Sequence, residues 1–330
     1  MSSIPTPTQA PRGSLLNANA MQKLLAFASL VALVIIFSLF SPNFFKSENL
    51  IAIMLATAVN GVLALGVTFV IVTSGIDLSV GTVMTFCAVM AGVFITNLHL
   101  PIWLGVLGAI VMGALAGMTS GALIAKLKLP AFIATMGMMN VTKGLSLVIS
   151  GLKPIYFNDS PGYTDIALGS VINLPGFAIP NAVLIFFTLA ILMSFILNKT
   201  IFGRYTYAIG SNEEAVRLSG VNVDRWKIAV YALCGAVCGI AGILISARLN
   251  SAQPALGSGY ELDAIAAAVI GGTSLSGGEG TILGTVIGAF IMSVLTNGLR
   301  ILSVPQEWQT VVTGVIIIGA VYADILRRRK

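Results

Sequence analysis

The sequence predicts an all-α polytopic membrane protein with about ten transmembrane helices, arranged as two related halves with both termini in the cytoplasm. Three observations carry this prediction. Charged residues make up only 9% of the 330-residue chain, against about 25% in soluble globular proteins. Apolar residues make up 57% and the mean hydropathy is +0.97, so too few polar side chains remain for a soluble surface. The charges also fall in short clusters between apolar stretches of about 20 residues, the length that crosses a bilayer.

The first apolar run, Leu24 to Phe40, follows a polar leader at residues 1–23. The run is longer than a signal-peptide core and has no Ala-x-Ala cleavage site, so we expect it to remain as a membrane helix. Nine further apolar runs continue the predicted membrane domain, which spans residues 24–326. They are 50–73, 79–97, 102–125, 130–150, 180–198, 227–248, 262–279, 281–299 and 307–325.

The lysines and arginines predict the orientation of these spans, because cytoplasmic loops are enriched in both. Cytoplasmic termini place thirteen of the 18 basic residues on that side and leave five on the other. The connection at 200–226 and the basic tail at 327–330 are then cytoplasmic, and the loop at 151–179 is extracytoplasmic. This asymmetry explains the net charge of +6 without a nucleic-acid partner, and we expect contact with anionic membrane lipid. The thirteen are Arg12, Lys23, Lys126, Lys128, Lys199, Arg204, Arg217, Arg225, Lys227, Arg327, Arg328, Arg329 and Lys330.

Two apolar stretches are interrupted by glycine and small polar residues, at 73–81 and at 271–278. Broken segments at comparable places in two halves indicate inverted repeats around a central substrate path. Ser74 and Asp77 in the first stretch are therefore candidate path or gate residues. Because a carboxylate is costly inside a membrane, Asp77 either faces such a path or caps the next helix, and both interpretations stay open.

Other polar side chains in apolar surroundings complete the candidate path. One group lies between the seventh and eighth spans, and its carboxylates, amide and aromatic ring suit the mouth of a polar path. The alternative is a turn whose carboxylates stabilise a helix N-terminus. Lone asparagines in apolar helices either contact a ligand or join neighbouring helices. The first group is Gln253, Tyr260, Glu261 and Asp263, and the asparagines are Asn60, Asn140 and Asn297.

The sequence contains no pattern for covalent, metal or nucleotide chemistry. Residues 275–279 read Leu-Ser-Gly-Gly-Glu, like the signature peptide of ATP-binding cassettes, but the chain has no G-x-x-x-x-G-K-[ST] loop. His99 is the one histidine, and Cys87, Cys234 and Cys238 fall in apolar runs without metal-ligand spacing. We therefore predict no catalytic residue, no metal site and no cofactor on this chain.

The connection at 200–226 carries a local helix signal outside the spans. Ser211 and Glu214 form a capping-box pattern, and Gly220 follows where the helix should end. The predicted helix, Asn212 to Ser219, is too short to be stable alone in water and must pack against something. Its apolar residues suit a groove on a cytoplasmic partner, whereas contact with the membrane domain of its own chain is the alternative.

Several sequence blocks identify a family. They are Ser41–Phe45, Thr73–Gly81, Ala131–Thr135, Phe202–Tyr205, Ala208–Ala215, Arg217–Val221, Ser251–Pro254, Gly259–Ala266 and Gly271–Leu275. Together they resemble the permease subunits of bacterial ABC monosaccharide importers, those for ribose above all. The resemblance covers most of the chain from Ser41 onward, and permeases for arabinose, xylose, galactose and inositol look similar.

The resemblance implies a bacterial inner-membrane subunit that moves an intact sugar inward. Its expected partners are a second copy of itself, an extracytoplasmic sugar-binding protein and a cytoplasmic ATPase with two cassettes, which holds the ATP and Mg. The short helix would dock in a groove of that ATPase. An ATP-independent facilitator or secondary carrier is the alternative, although carriers usually show more charged groups inside the membrane. The implied coupling residues are Ser211, Asn212, Glu213, Glu214, Ala215, Arg217, Leu218 and Gly220.

Overall fold

The computed structural model describes the backbone of residues 13–174 and 177–328, and the side chains of residues 24–173 and 178–322. Residues 1–12 of the predicted leader and residues 329–330 of the basic tail lie outside this range. The side chains of Lys23, Arg327 and Arg328 also lie outside it, so the predictions on these basic groups stay predictions.

The described chain is an assembly of helices with two short antiparallel strand pairs. A π-helical turn at Val93–Asn97 continues the third helix, and antiparallel pairs join β1 to β4 and β2 to β3. The strands are β1 (Ile155–Tyr156), β2 (Ile172–Leu174), β3 (Phe177–Ile179) and β4 (Ser251–Ala252). The helices are α1 (Gly13–Phe40), α2 (Ser47–Val72), α3 (Val80–Gly92), α4 (Ile102–Ala125), α5 (Ala131–Ile149), α6 (Asn181–Lys199), α7 (Ile201–Ser211), α8 (Glu213–Leu218), α9 (Val223–Leu249), α10 (Tyr260–Ile270), α11 (Ile282–Ile301) and α12 (Gln306–Arg328).

Seven of the helices in the described ranges are long and apolar enough to cross a membrane: α2, α3 with its π turn, α4, α5, α6, α9 and α11. These seven confirm a helical polytopic architecture. The apolar part of α1 at Leu24–Phe40 is shorter, and α12 occupies the predicted span at 307–325 without being among the seven. The total of ten spans therefore stays a prediction.

The predicted eighth span, 262–279, is not one continuous helix. Helix α10 ends at Ile270, and a non-helical connection at 271–281 follows it. Three glycines in this connection, Gly272, Gly277 and Gly278, have φ values of 97°, 80° and 74°. These left-handed conformations are incompatible with a continuing right-handed helix and favour glycine.

Helices α4 and α9 are in contact at the centre of the fold, and α9 also packs against α2 and α3. Glycines at every fourth position of α4, namely Gly113, Gly117 and Gly121, face α9. A Cβ added at Gly117 would meet the carbonyl oxygen of Tyr231, and a Cβ added at Gly113 would meet that of Gly235. Small residues at this spacing let two helix backbones approach within contact distance, as membrane helices require.

The bundle has two ends that differ in structure. The α8 end carries α7, α8 and the connections at 73–79 and 271–281. At the opposite end, called the β end, β1 pairs with β4 beside the last turn of α9. There the buried ring of Tyr163 stacks on Phe157, and its hydroxyl forms a 2.7 Å hydrogen bond with Ser246 of α9. The part of the loop around Phe157 and Tyr163 is therefore fixed to the helices.

Candidate functional site

The first broken segment begins where α2 ends. The amide of Ser74 donates to the carbonyl of Ile71 at 2.9 Å, and the amide of Gly75 donates to the carbonyl of Val70 at 3.0 Å. These two bonds form a Schellman motif, which ends a helix through one residue in the left-handed conformation. Ser74 is that residue, with φ of 60°, and the chain leaves the axis of α2 at this point.

Asp77 lies in the same segment, immediately before α3. Its side chain is only 2% exposed. One carboxylate oxygen accepts hydrogen bonds from the amide of Ser79 at 2.9 Å and from the hydroxyl of Ser79 at 2.6 Å. The hydroxyl of Tyr231 in α9 donates to the carbonyl of the neighbouring Ile76 at 3.1 Å. Asp77 therefore orders the start of α3, while its role in a path stays a prediction.

A second broken segment, residues 250–259, lies between α9 and α10. The side-chain amide of Gln253 donates to the hydroxyl of Ser251 at 3.0 Å. Gly259 has φ of 98°, and its amide donates to both carboxylate oxygens of Glu261 at 3.1 Å. Glu261 thus folds back over the first turn of α10, where the helix dipole favours a negative charge.

The two broken segments meet at the N-termini of α3 and α10. A Cβ added at Gly81 would contact the carbonyl oxygen of Gly257 and the carboxylate of Glu261, and one added at Gly257 would contact the carbonyl oxygen of Gly81. Near its other end, α3 packs Gly92 against Ile155 of β1. Residues 251–259 therefore run beside α3 from the β end into the bundle, and both short helices begin in its interior.

Two arginines, which the sequence analysis counted among the five basic residues on the extracytoplasmic side, lie near this meeting point. Arg248 of α9 and Arg300 of α11 both act electrostatically on the half-buried Tyr260, as does Asp263. Arg248 is itself half-buried. An arginine within an apolar helix, close to a cluster of carboxylates in the next segment, is the sequence signal that could have identified it.

The three asparagines occupy different environments. The side-chain oxygens of Asn60 in α2 and Asn297 in α11 are buried and have no hydrogen-bond partner among the described residues. Asn140 is exposed and donates to the carbonyl of Met136 in its own helix at 3.1 Å. Threonines instead form hydrogen bonds between helices. The hydroxyls of Thr68 and Thr285 are 2.7 Å apart, and those of Thr82 and Thr142 are 2.8 Å apart.

The predicted short helix is present as α8, with corrected ends. Its N-cap is Asn212, whose side-chain oxygen accepts from the amide of Ala215 at 2.9 Å. Ser211 is the last residue of α7, so the N-cap lies one residue later than predicted, and the predicted capping box does not form because Ala215 stands at the third helical position. The helix has six residues, about 9 Å at 1.5 Å per residue, and Gly220 follows it with φ of 82°, as the sequence predicted.

A network of charges holds α8 against the rest of the chain. Glu213 pairs with Arg217 at 3.0 Å and with Lys227 at 2.5 Å. Asp224 in the first turn of α9 pairs with Arg217 at 3.2 Å and with Lys128 of the α4–α5 connection at 3.0 Å. These partners come from three separate segments, so the sequence analysis did not identify them as a group.

The pKa of Glu213 is below its ordinary value of 4.5. Partial burial of the carboxyl raises this pKa, but the hydrogen bond and charge of Lys227, followed by those of Arg217, lower it by more. The carboxyl is therefore charged at neutral pH. The opposite surface of α8 is free of the bundle, since Glu214 and Ala215 are exposed and Leu218 is 83% exposed.

A cavity of about 280 Å³ lies beside this network at the α8 end. Its wall includes Ser74 and Gly75 from the first broken segment, Lys128 and Lys227 from the charge network, and Tyr231 from α9. The cavity therefore separates the first broken segment from the ion pairs that hold α8.

The apolar helices, the interrupted segments that meet inside the bundle and the attached α8 define a multi-pass membrane protein of the transport class. The family described as branched-chain amino acid transport system / permease component matches residues 49–321. The chain belongs to this family of permeases.

Named relatives refine this membership. The ribose import permease protein RbsC of Escherichia coli K12 is 43% identical, over 90% of this chain and 91% of the relative. The protein of the same name from Bacillus subtilis 168 is 45% identical, over 92% of this chain and 93% of the relative. The xylose transport system permease protein XylH of Escherichia coli K12 is 33% identical, over 98% of this chain and 96% of the relative.

Proposed function

We propose that this chain is the membrane-spanning subunit of an ATP-driven ABC importer that moves a monosaccharide into the cytoplasm, with ribose as the proposed substrate. The similarity to ribose import permeases over at least 90% of the chain carries the proposal. The lower identity to a xylose permease supports a pentose as the class of substrate.

The α8 end is cytoplasmic in this proposal, and ten segments cross the membrane. The basic residues grouped at the α8 end support that orientation. Helix α10 has 11 residues and spans about 16 Å, roughly half of the hydrocarbon thickness, so the 271–281 connection completes its crossing. The leader at 1–23 and the tail at 327–330 flank the 24–326 membrane domain on the cytoplasmic side.

Two related halves follow from the same geometry. A non-helical segment at 73–79 enters from the α8 end and leads into α3, and one at 250–259 enters from the β end and leads into α10. The two helices run away from their meeting point in opposite directions. This arrangement supports an inverted repeat with the sugar path near the meeting point. The pairing differs from the predicted one, in which 271–278 corresponded to 73–81.

The partners dock at opposite ends. A cytoplasmic ATPase with two cassettes, carrying ATP and Mg, receives the exposed surface of α8 in a groove, and Leu218 supplies the apolar contact. The Ser211 to Gly220 region thereby couples ATP hydrolysis to movement of the permease. A sugar-binding protein docks at the β end, where the part of the extracytoplasmic loop around Tyr163 is fixed to α9. The functional unit contains two copies of this chain in a lipid bilayer.

The test is uptake of radiolabelled ribose by vesicles that contain this chain, its ATPase and its sugar-binding protein. Uptake should require ATP and should stop when a non-hydrolysable ATP analogue replaces it. Excess unlabelled ribose should compete, whereas a branched-chain amino acid should not. Ribose uptake by vesicles that contain this chain alone, without ATP, would instead establish the facilitator and refute the importer.

We expect Asp77 and Glu261 to line or gate the path. Glu261→Gln should lower ATP-driven uptake by about tenfold, because the weaker acceptor releases Gly259 at the start of α10. Asp77→Asn retains one oxygen acceptor for Ser79 but removes the charge, so a loss of uptake in a normally assembled Asp77→Asn complex would indicate a role beyond capping. Full uptake by both variants would refute the assignment of these carboxylates to the path.

A further inference from the structure

Three segments join at the α8 end of the bundle, and we call this contact the inner junction. It comprises residues 72–75 after α2, residues 207–211 at the end of α7 and residues 276–280 before α11. The amide of Gly278 donates to the carbonyl of Val72 at 2.9 Å, and the hydroxyl of Tyr207 donates to the carbonyl of Gly280 at 2.7 Å. The 276–280 segment is thereby fixed to both of the others.

Ser74 is the side chain that contacts the two other segments together. Its hydroxyl lies 2.8 Å from the carbonyl oxygen of Ser276 and 3.1 Å from the carbonyl oxygen of Gly210. A serine hydroxyl has one hydrogen to donate, so it is shared between the two acceptors or passes from one to the other. The bond can therefore persist while the three segments shift by small distances.

The position of Ser74 in the helix end is unusual for a side chain. Glycine is strongly preferred at the left-handed residue of a Schellman motif, because a Cβ is strained there. Serine adopts φ of 60° at this position. Compared with glycine, it adds only a hydroxyl, which makes the two hydrogen bonds to the other segments. The strained residue thus coincides with the contact between segments.

Close backbone contacts lie beside the Ser74 hydroxyl, although the side chain itself is exposed. A Cβ added at Gly210 would meet the carbonyl oxygen of Val72 and the amide of Gly278, and one added at Gly277 would meet the Ser74 hydroxyl. At Gly210 the backbone of α7 lies directly against the backbones of the two other segments, so side-chain rearrangement there can absorb little displacement of α7. Movement of α7 is therefore passed to the connections that lead to α3 and from α10.

We propose that Ser74 is a positioning residue that links the end of α7 to the 73–79 segment and to the 271–281 connection, so that one displacement of α7 and α8 moves the segment that leads into α3 and the connection after α10 together. The proposal rests on the proposed function, in which α8 receives the ATPase. It differs from the interpretation of Ser74 as a residue that lines the sugar path, because its hydroxyl bonds to backbone carbonyls of the inner junction.

The first experiment uses the full complex of permease, ATPase and sugar-binding protein in vesicles. Ribose uptake and phosphate release are measured together, and their ratio is compared between variants. Ser74→Ala and Ser74→Gly should each lower ribose moved per ATP by about fivefold or more, with assembly and thermal melting close to wild type. Ser74→Asn should retain most of the ratio, since asparagine tolerates the left-handed conformation and its amide can donate.

A matched control is Ser38→Ala, which removes an exposed hydroxyl that donates to the carbonyl of Ile35 in its own helix, and it should keep the wild-type ratio. Wild-type ratios in both Ser74→Ala and Ser74→Gly would overturn the proposal. A normal ratio in Ser74→Gly alone would also overturn it, because backbone strain and not the hydroxyl would then decide coupling.

A second measurement is independent of the transported sugar. Hydrogen exchange of the purified chain should be faster at residues 73–79 and 276–280 in Ser74→Ala than in wild type, and unchanged at the α4–α9 contact. Absence of ATP-driven ribose uptake in the wild-type complex would refute the proposed function, whereas unchanged exchange in Ser74→Ala would refute the link itself.

Discussion

Gly117→Val is expected to prevent the permease from accumulating as a folded, monodisperse protein. A side chain at this position of α4 would overlap the carbonyl oxygen of Tyr231 and approach the Cα of Gly235. Both obstacles are backbone atoms of α9, so no side-chain rotation can make room. Overpacking of a well-packed core costs about 1–3 kcal/mol even where side chains can adjust, and we expect about 3 kcal/mol or more at this rigid contact.

The measurement is size-exclusion chromatography and thermal melting of the detergent-solubilised protein. The apparent melting temperature should fall by about 4 °C or more. Gly144→Val in α5 is the matched control, because a Cβ added at Gly144 would meet nothing within 4 Å and valine has a better helix propensity than glycine. Equal melting temperatures for the two variants would show that the α4–α9 glycines are not required for close packing.

The helical membrane architecture was predictable because apolar stretches of bilayer length leave a clear signal in composition. Features that depend only on neighbouring residues in one segment were also predictable, such as Gly220 at the end of α8. The exact N-cap was not, because Ser211 and Asn212 are adjacent residues of similar capping preference, and the preceding helix α7 extends through Ser211. The glycine interruption at 271–278 was visible in the sequence, but hydropathy alone did not show that α10 ends at Ile270.

The candidate site was less predictable, because its contacts join segments that are far apart in sequence. The approach of Gly81 to Gly257 and the bond from Ser74 to Ser276 depend on how α3, α9 and α10 pack. No periodicity in either segment specifies its partner. The same reason explains why Lys128 did not emerge as part of the group that holds α8.

The charge network predicts that Glu213→Lys uncouples ATP hydrolysis from sugar uptake. The substitution removes the pairs with Arg217 and Lys227 and places a third cation beside them. Because the Glu213 side chain is 40% exposed, each lost pair is worth at most about 1 kcal/mol. Only the Lys227 pair joins Glu213 to α9, since Arg217 lies in α8 itself. Loss of that pair and the added repulsion together amount to about 1.5 kcal/mol, which is roughly a tenfold change in the population of attached α8. We expect ribose moved per ATP to fall by about the same factor.

The double variant Glu213→Lys with Lys227→Glu is the decisive control, because it reverses the Glu213–Lys227 pair while retaining its attraction. It should recover most of the ratio of ribose to ATP, whereas Lys227→Glu alone should not.

The pH dependence gives an independent check. Because the pKa of Glu213 is lower in the folded protein, its stabilising contribution is complete above the ordinary carboxyl pKa and is lost only as the pH falls through the lower, folded value. The wild-type ratio should therefore show no titration that depends on Glu213 above about pH 5. Failure of the charge swap to restore any coupling, or a Glu213-dependent loss between pH 7 and pH 6, would contradict the role of this ion pair in holding α8.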